Sequence, residues 1–170
     1  LALEKVHQRR PHIRAVFAGP ALDQDYSARF QEEIRRLHSF ACWLPAISPQ
    51  SMRSAYQGAD IVLNTSFSEG FSNVLIEAIA SEKPLLARDI EGNRWPVKGS
   101  DGDRPCGLLY DPRNMDDFIG KAIRLTDDGL FRANLTQTCR ERAAAWPPPE
   151  MEIKGLIAAY QYAINLGTPH

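Results

Sequence analysis

A chain of 170 residues with 44% hydrophobic content is long enough for one substantial core and has the usual size of one domain. Its 20 lysines and arginines against 21 acids leave a net charge of -1, which excludes a general field for nucleic acid or an anionic membrane surface as partner. Cys42, Cys106 and Cys139 are odd in number and widely spaced, no apolar run reaches the roughly 18 residues of a membrane span, and no signal-peptide pattern opens the chain. A disulfide framework, a zinc site and a membrane span therefore drop out, and a cytoplasmic protein is expected.

Leu1 to Arg10, with Leu3 and Val6 among basic and polar neighbours and Pro11 behind them, reads as the tail of an amphipathic helix. Leu1 is not an initiator methionine, so the chain is expected to be cut from something longer. Ile13 to Phe17 is a short strand that ends in the turn Ala18-Gly19-Pro20, where Gly19 either allows close approach of a ligand or simply makes an ordinary turn. Tyr26, Phe30, Ile34 and Leu37 recur at helical spacing between Asp23 and His38. Phe40 to Leu44 is a second strand, and Ser48 followed by Pro49 starts a helix that runs to about Gln57 with Gly58 as its C-cap.

Asp60 to Thr65 is the third strand, whose continuous apolar centre suits a parallel strand covered on both faces. Asn73 to Ser81 is predicted as a largely buried helix, since Val74, Leu75, Ile76, Ala78 and Ile79 cover most of its circumference. Lys83 to Ala87 is the fourth strand, Glu91 to Pro105 a long polar loop with the length of a lid, and Cys106 to Tyr110 the fifth strand. Helices follow at Met115 to Thr126, Asp128 to Ala145 and Glu150 to Leu166, the last two separated by Trp146 and three prolines that fix a bend. Strands alternating with helices predict an α/β, Rossmann-like domain over residues 1–145: a parallel sheet with helices on both faces. Residues 146–170 are then a proline-bent helical tail packed on the same domain.

The chemistry concentrates between Asp60 and Ala78. In such a fold the loop after a strand and the start of the next helix form a crevice at the carboxyl end of the sheet. Ser72 is placed as an N-cap, and Asn73, Val74 and Leu75 behind it include no acid, so the helix's partial positive charge is open to an anion such as a diphosphate. Water or the preceding loop is the competing partner for those N–H groups. Glu77 lies five residues in, roughly 7 Å along the axis, the reach from diphosphate to ribose. A carboxylate accepts two hydroxyl hydrogen bonds at once, which suits a vicinal diol, although a solvent-facing glutamate is the commoner state of this residue. Glu69, in the loop, can meet sugar hydroxyls while the backbone of Gly70, Phe71 and Ser72 closes around the ligand; its alternative is an ordinary surface acid.

Ser68 to Ala80 (SEGFSNVLIEAIA), preceded by Gly58-Ala59-Asp60 and followed by Lys83 to Ala87 (KPLLA), resembles the signature of retaining glycosyltransferases of family 4, the glycosyl transferases group 1 domain. Ala18-Gly19, Trp43 to Pro45 and Cys106 to Pro112 fall in the same order and spacing, and NTSFSEGFSN with RDIEGN is nearest to the branch of glycosyltransferase 1 domain-containing proteins. Inside a strand, loop and helix the two glutamates with seven residues between them are a specific signal. The resemblance implies the C-terminal, donor-binding half of a GT-B fold and transfer of a sugar from a nucleotide-sugar with retained configuration, without metal or cofactor. It also implies that Glu69 is the catalytic-site acid facing the donor sugar. Gly70, Phe71, Ser72, Asn73 and Val74 would contact sugar and diphosphate, Glu77 the ribose, Gly19 the ligand at the first turn, and Ala46 and Ile47 the base through backbone.

Two departures from that pattern matter. The arginine and lysine with which such proteins neutralise the leaving diphosphate precede the first helix, beyond the start of this chain, and the acceptor-binding N-terminal domain is expected upstream. The isolated chain is thus predicted to catalyse little, since lost electrostatic stabilisation costs orders of magnitude in rate. The glycine pair and acid after the fourth strand are replaced by Glu91, Gly92, Asn93 and Arg94, with Arg94 either a substitute phosphate ligand or an exposed loop residue. Asp101-Gly102-Asp103 is read as a turn. A nucleotide-sugar epimerase of GT-B type and a non-catalytic binding or dimerisation module are the competing functions.

Overall fold

The computed structural model describes residues 2–21, 23–44 and 47–167, without the side chains of residues 49, 149, 166 and 167. The elements run α1 (Ala2–Arg9), β1 (Ala15–Ala18), α2 (Gln24–Arg36), β2 (Ala41–Leu44), α3 (Pro49–Gly58), β3 (Val62–Asn64), α4 (Asn73–Ala80), β4 (Leu85–Arg88), α5 (Glu91–Lys98), β5 (Gly107–Tyr110), α6 (Met115–Asp127), α7 (Gly129–Ala144) and α8 (Pro149–Gly167). Every strand pairing is parallel, and helices flank the sheets, as an α/β chain of this pattern requires.

The strands form two sheets, β1-β2 and β3-β4-β5. The N–H groups of Ala15 and Gly19 point to β2, bonding the carbonyls of Phe40 at 2.8 Å and Leu44 at 3.1 Å. By strand alternation Val16 and Ala18 present theirs to the other edge. Val62 donates to the Pro84 carbonyl at 2.9 Å beside β4, so Leu63 faces away from it. Among the described residues neither of these edges is paired.

The three-stranded sheet is covered on both faces. Leu85 and Ala87 of β4 pack with Leu75, Ala78 and Ile79 of α4, Val97 of α5 and Cys139 of α7. Leu86, one residue out of phase, packs with Val6 of α1, Phe118, Ile119 and Leu125 of α6 and Leu135 of α7. Alternation places Arg88, at the end of the strand, on the Leu86 face. Ile13, before β1, joins that second cluster together with Ile61 and Leu63 at β3, which ties the smaller sheet to the larger.

Three expectations change. Glu91 to Lys98 is helix α5 instead of loop, with Gly92, Asn93, Pro96 and Val97 buried against the sheet. Its glycine, its polar residues and its proline hide the helical pattern, and packing outweighs their low propensity. Helix α4 buries Leu75, Ala78 and Ile79 only, while Val74 is 42% exposed. Trp146, ahead of the prolines, packs against the first cluster, but none of the described side chains of α8 is buried, and Met151, Ile153, Leu156 and Tyr160 are each more than half exposed. The prolines 147–149 redirect the chain and leave the apolar stripe of α8 outside both cores. A smaller shift falls at Gly58, which ends α3 with Ala59 as its C-cap.

Candidate functional site

The loop between β3 and α4 is folded around one buried side chain. Asn64, the last residue of β3, is 5% exposed. Its amide nitrogen donates to Ser72 Oγ at 2.9 Å and to Glu69 Oε1 at 3.2 Å. Its amide oxygen accepts from the Ser66 N–H at 3.0 Å and from Asn93 Nδ2 at 3.2 Å. A buried amide must satisfy both ends, and here doing so fixes the start, middle and end of the loop at once.

Ser72 occupies the N-cap position of α4, but its hydroxyl accepts from Asn64 and makes no cap bond. Its own N–H reaches the Gly92 carbonyl at 3.4 Å. That carbonyl is free because the helical donor due to meet it, four residues on, is Pro96, which has no N–H. The approach is close: a Cβ on Gly92 would stand 2.3 Å from the Glu69 carbonyl oxygen, so only glycine fits. The N–H groups of Asn73 and Val74 have no partner among the described residues, and no acid lies in the first turn of α4. The helix thus opens towards solvent with an uncompensated positive end.

Glu69 is half-buried, with Oε1 held by Asn64 and Oε2 outside the protein's hydrogen bonds among the described residues. Gly70 and Phe71 are exposed, and the Phe71 ring lies 5.5 Å from that of Trp95 on α5. Glu77 is exposed on α4, and its Oε2 accepts from the Tyr56 hydroxyl at 2.9 Å. Tyr56, on α3, is 7% exposed. Burial pushes its phenol pKa well up, and the hydrogen bond to Glu77 acts in the same direction.

Gly19 follows β1 with φ 145°, a backbone that favours glycine. Its N–H donates to Leu44 and its carbonyl accepts from Trp43 Nε1 at 3.0 Å. Ile47 follows β2 and is half-buried. Ala46 lies outside the described residues. No hydrogen bond among the described residues joins Gly19 or Ile47 to the Asn64 cluster, although all stand at carboxyl ends of parallel strands. Arg94 is committed to Asp89 at 2.7 Å and Glu91 at 3.0 Å, an exposed ion-pair cluster instead of a phosphate ligand. Asp103 accepts from the Ser100 N–H at 2.8 Å, so the Asp-Gly-Asp stretch is a turn. A groove of about 350 Å³ lined by Arg53, Gln57, Ser81 and Lys83 sits at the far end of α4 from Glu69.

Sequence reasoning missed Asn64 and Tyr56, and met Gly92 and Asn93 only as departures from the family pattern, without their contacts to the loop. The signal for Gly92 was its place four residues before a proline. The others carried none, because a strand-end asparagine and a helical tyrosine show their role only through partners distant in sequence.

Residues 1–145 match the family model described as Glycosyl transferases group 1. The chain is 30% identical over 137 residues to glycosyltransferase 1 domain-containing protein 1 of Xenopus tropicalis, covering 80% of the chain and 37% of the relative. It is 30% identical over 161 residues to a D-inositol 3-phosphate glycosyltransferase of Corynebacterium aurimucosum, 92% of the chain and 37% of the relative. The chain therefore spans little more than a third of these two relatives. In fold it is similar to sucrose-phosphate synthase from Thermosynechococcus elongatus, with TM-score 0.80 at 19% identity over 98% of this chain and 42% of that one. Anabaena Alr3699/HepE in complex with UDP and glucose gives TM-score 0.80 at 21% identity, 94% of this chain and 43% of that one.

Proposed function

We propose, because this chain belongs to the glycosyl transferases group 1 family, that it is the donor-binding half of a GT-B glycosyltransferase of the retaining family 4 type, moving a sugar from a nucleoside-diphosphate sugar to an acceptor. The observation that carries this reading is the line Glu69, open α4 start, Glu77. Two carboxylates are held by Asn64 and Tyr56 at either end of a helix turn whose N–H groups face solvent. Glu69, with one oxygen tied back and one open, faces the donor sugar. Gly70, Phe71, Ser72, Asn73 and Val74 surround sugar and diphosphate, where aligned N–H groups and the helix dipole favour the anion. Glu77 accepts the ribose hydroxyls. Gly19 meets the ligand at the first turn, and the backbone at Ile47 and at Ala46, the latter outside the described residues, is assigned to the nucleobase. Nothing in the reading calls for a metal or cofactor.

The remainder of the protein completes the fold as well as the chemistry. Dinucleotide-binding sheets run in the order 3-2-1-4-5-6. The pair β2-β1 takes positions 3-2 and β3-β4-β5 takes 4-5-6, so position 1 falls between the two unpaired edges. A strand from outside this chain fits that place, and the exposed stripe of α8 is available to the acceptor-binding half. Without those parts the isolated chain binds donor weakly and catalyses little.

Calorimetry with UDP, GDP and ADP tests the donor reading. Binding of one of them, weakened by Glu77→Ala by about 1 to 3 kcal/mol, is expected if ribose hydrogen bonds are lost. No heat from any of the three at millimolar concentration overturns it.

A further inference from the structure

We propose that Arg88 is an oxyanion ligand of this site, placed to hold the phosphate of the bound donor through the open side of its guanidinium. The diphosphate assignment rests on the donor reading above; the anion site itself does not.

Most other arginines have acceptors, and Arg9, Arg53 and Arg124, which have none among the described residues, are exposed to water. Arg10 pairs with Asp127, Arg36 with Glu4, and Arg142 donates to the carbonyls of Pro96 and Arg104. The Arg88 side chain makes no hydrogen bond and no ion pair among the described residues, and its Nε is shielded from solvent without an acceptor. The neighbouring Asp89, the nearest acid in sequence, is engaged by Arg94. A buried Nε–H without an acceptor costs free energy, and the terminal nitrogens of the partly buried guanidinium make no bond within the described residues, which leaves them to a ligand or to water.

Its position is fixed. Arg88 closes β4 opposite Tyr110 of β5, and its carbonyl accepts from Asn93 Nδ2 at 3.0 Å, the same amide that reaches Asn64. The guanidinium carbon lies 4.4 Å from the centre of the Phe67 ring, two residues before Glu69. Phe67 is 85% exposed. A large apolar ring held in water over a cation shields one face of the guanidinium and strengthens what its edge can bind, since the local dielectric falls. Strand end, loop and ring thus set a preoriented cation at the carboxyl edge of the sheet, where α/β folds take their ligands. The planar fork matches a phosphate group, which it can meet with two parallel hydrogen bonds.

The test compares wild type, Arg88→Gln and Arg88→Lys in the intact protein, titrated with UDP, uridine and inorganic pyrophosphate, with melting curves as the folding check. R88Q is expected to weaken UDP and pyrophosphate about tenfold, the loss of a charge-assisted contact, and to leave uridine unchanged. R88K, a point charge without the fork, should fall between. UDP and pyrophosphate affinities in R88Q equal to those of wild type overturn the proposal, as does an equal loss for uridine, which marks a structural effect. Should R88Q not fold, R88K decides alone: UDP affinity equal to wild type overturns it. If wild type binds pyrophosphate in an Arg88-dependent way but neither UDP nor uridine, the anion site stands and the donor reading falls.

Discussion

Replacing Tyr56 by phenylalanine removes one hydroxyl and leaves a buried ring in place. The hydroxyl donates to Glu77 Oε2 at 2.9 Å, and the tyrosine is 7% exposed. Its acceptor is a carboxylate at an exposed position and can rehydrate, so the cost to folding stays near the low end for a hydrogen bond, about 1 kcal/mol. The effect on ligand has another origin. A glutamate side chain loses about 1.5 to 2 kcal/mol of rotamer freedom when fixed, and Tyr56 takes up part of that before nucleotide arrives. Freed from Tyr56, Glu77 must be ordered by the ribose itself, and about 1 kcal/mol, or fivefold in affinity, is expected to be lost. Calorimetry with UDP and 2′,3′-dideoxy-UDP reads this directly. Tyr56→Phe should weaken UDP about fivefold, leave the dideoxy compound unchanged, and have no further effect once Glu77 is alanine. An equal loss for both nucleotides, or a loss that persists in the Glu77→Ala background, refutes the idea that Tyr56 acts through Glu77.

Other consequences are simpler to state. Gly92→Ala puts a methyl 2.3 Å from the Glu69 carbonyl oxygen, where neither backbone can yield easily, and should cost about 1 to 3 kcal/mol together with weaker UDP binding; an unchanged melting temperature refutes the seating of α5 on the loop. Burial, and then the bond to Glu77, raises the Tyr56 pKa, so its contribution to stability is complete below the unfolded value of about 10 and is lost as pH rises through the folded one. As pH rises above about 10, melting temperature should therefore fall more steeply for wild type than for Tyr56→Phe, and parallel curves there count against a buried phenol. In the intact protein the amides of Val16, Ala18 and Leu63, on the two unpaired edges, should exchange as slowly as those inside the three-stranded sheet; rapid exchange on both edges means that no strand fills the place between β1 and β3.

What could be read in the chain before its structure was known follows from where the physics is local. The alternation of strands and helices, the Ser48-Pro49 helix start and the apolar Ile61-Val62-Leu63 run each depend on neighbours in sequence, and each reappears. Glu69 and Glu77 stood out because their spacing and the helix between them are also local. Helix α5 was lost for the opposite reason. Its stability comes from burying Val97 in the cluster shared with α4 and from seating Gly92 against the Glu69 loop, which outweighs residues that read as loop. The split sheet was equally invisible, since the strands at Ile13 and Asp60 look alike whether or not another strand lies between them.

On the donor-binding reading proposed above, the Asn64 network bears on which parts of the site are fixed before ligand arrives. A fully satisfied amide buried at a strand end holds Glu69, Ser72 and Asn93 with bonds that all lie within this chain. The geometry of the loop therefore does not wait for a ligand or for the rest of the protein. Groups fixed before binding spare the ordering cost at the moment of reaction. The open sheet edges and the exposed stripe of α8 are the contrary case, surfaces whose free energy falls only when something covers them. On the proposed reading, the groups that meet the donor are fixed locally by the Asn64 network, while the unpaired edges of β1 and β3 are stabilised only once a further strand covers them.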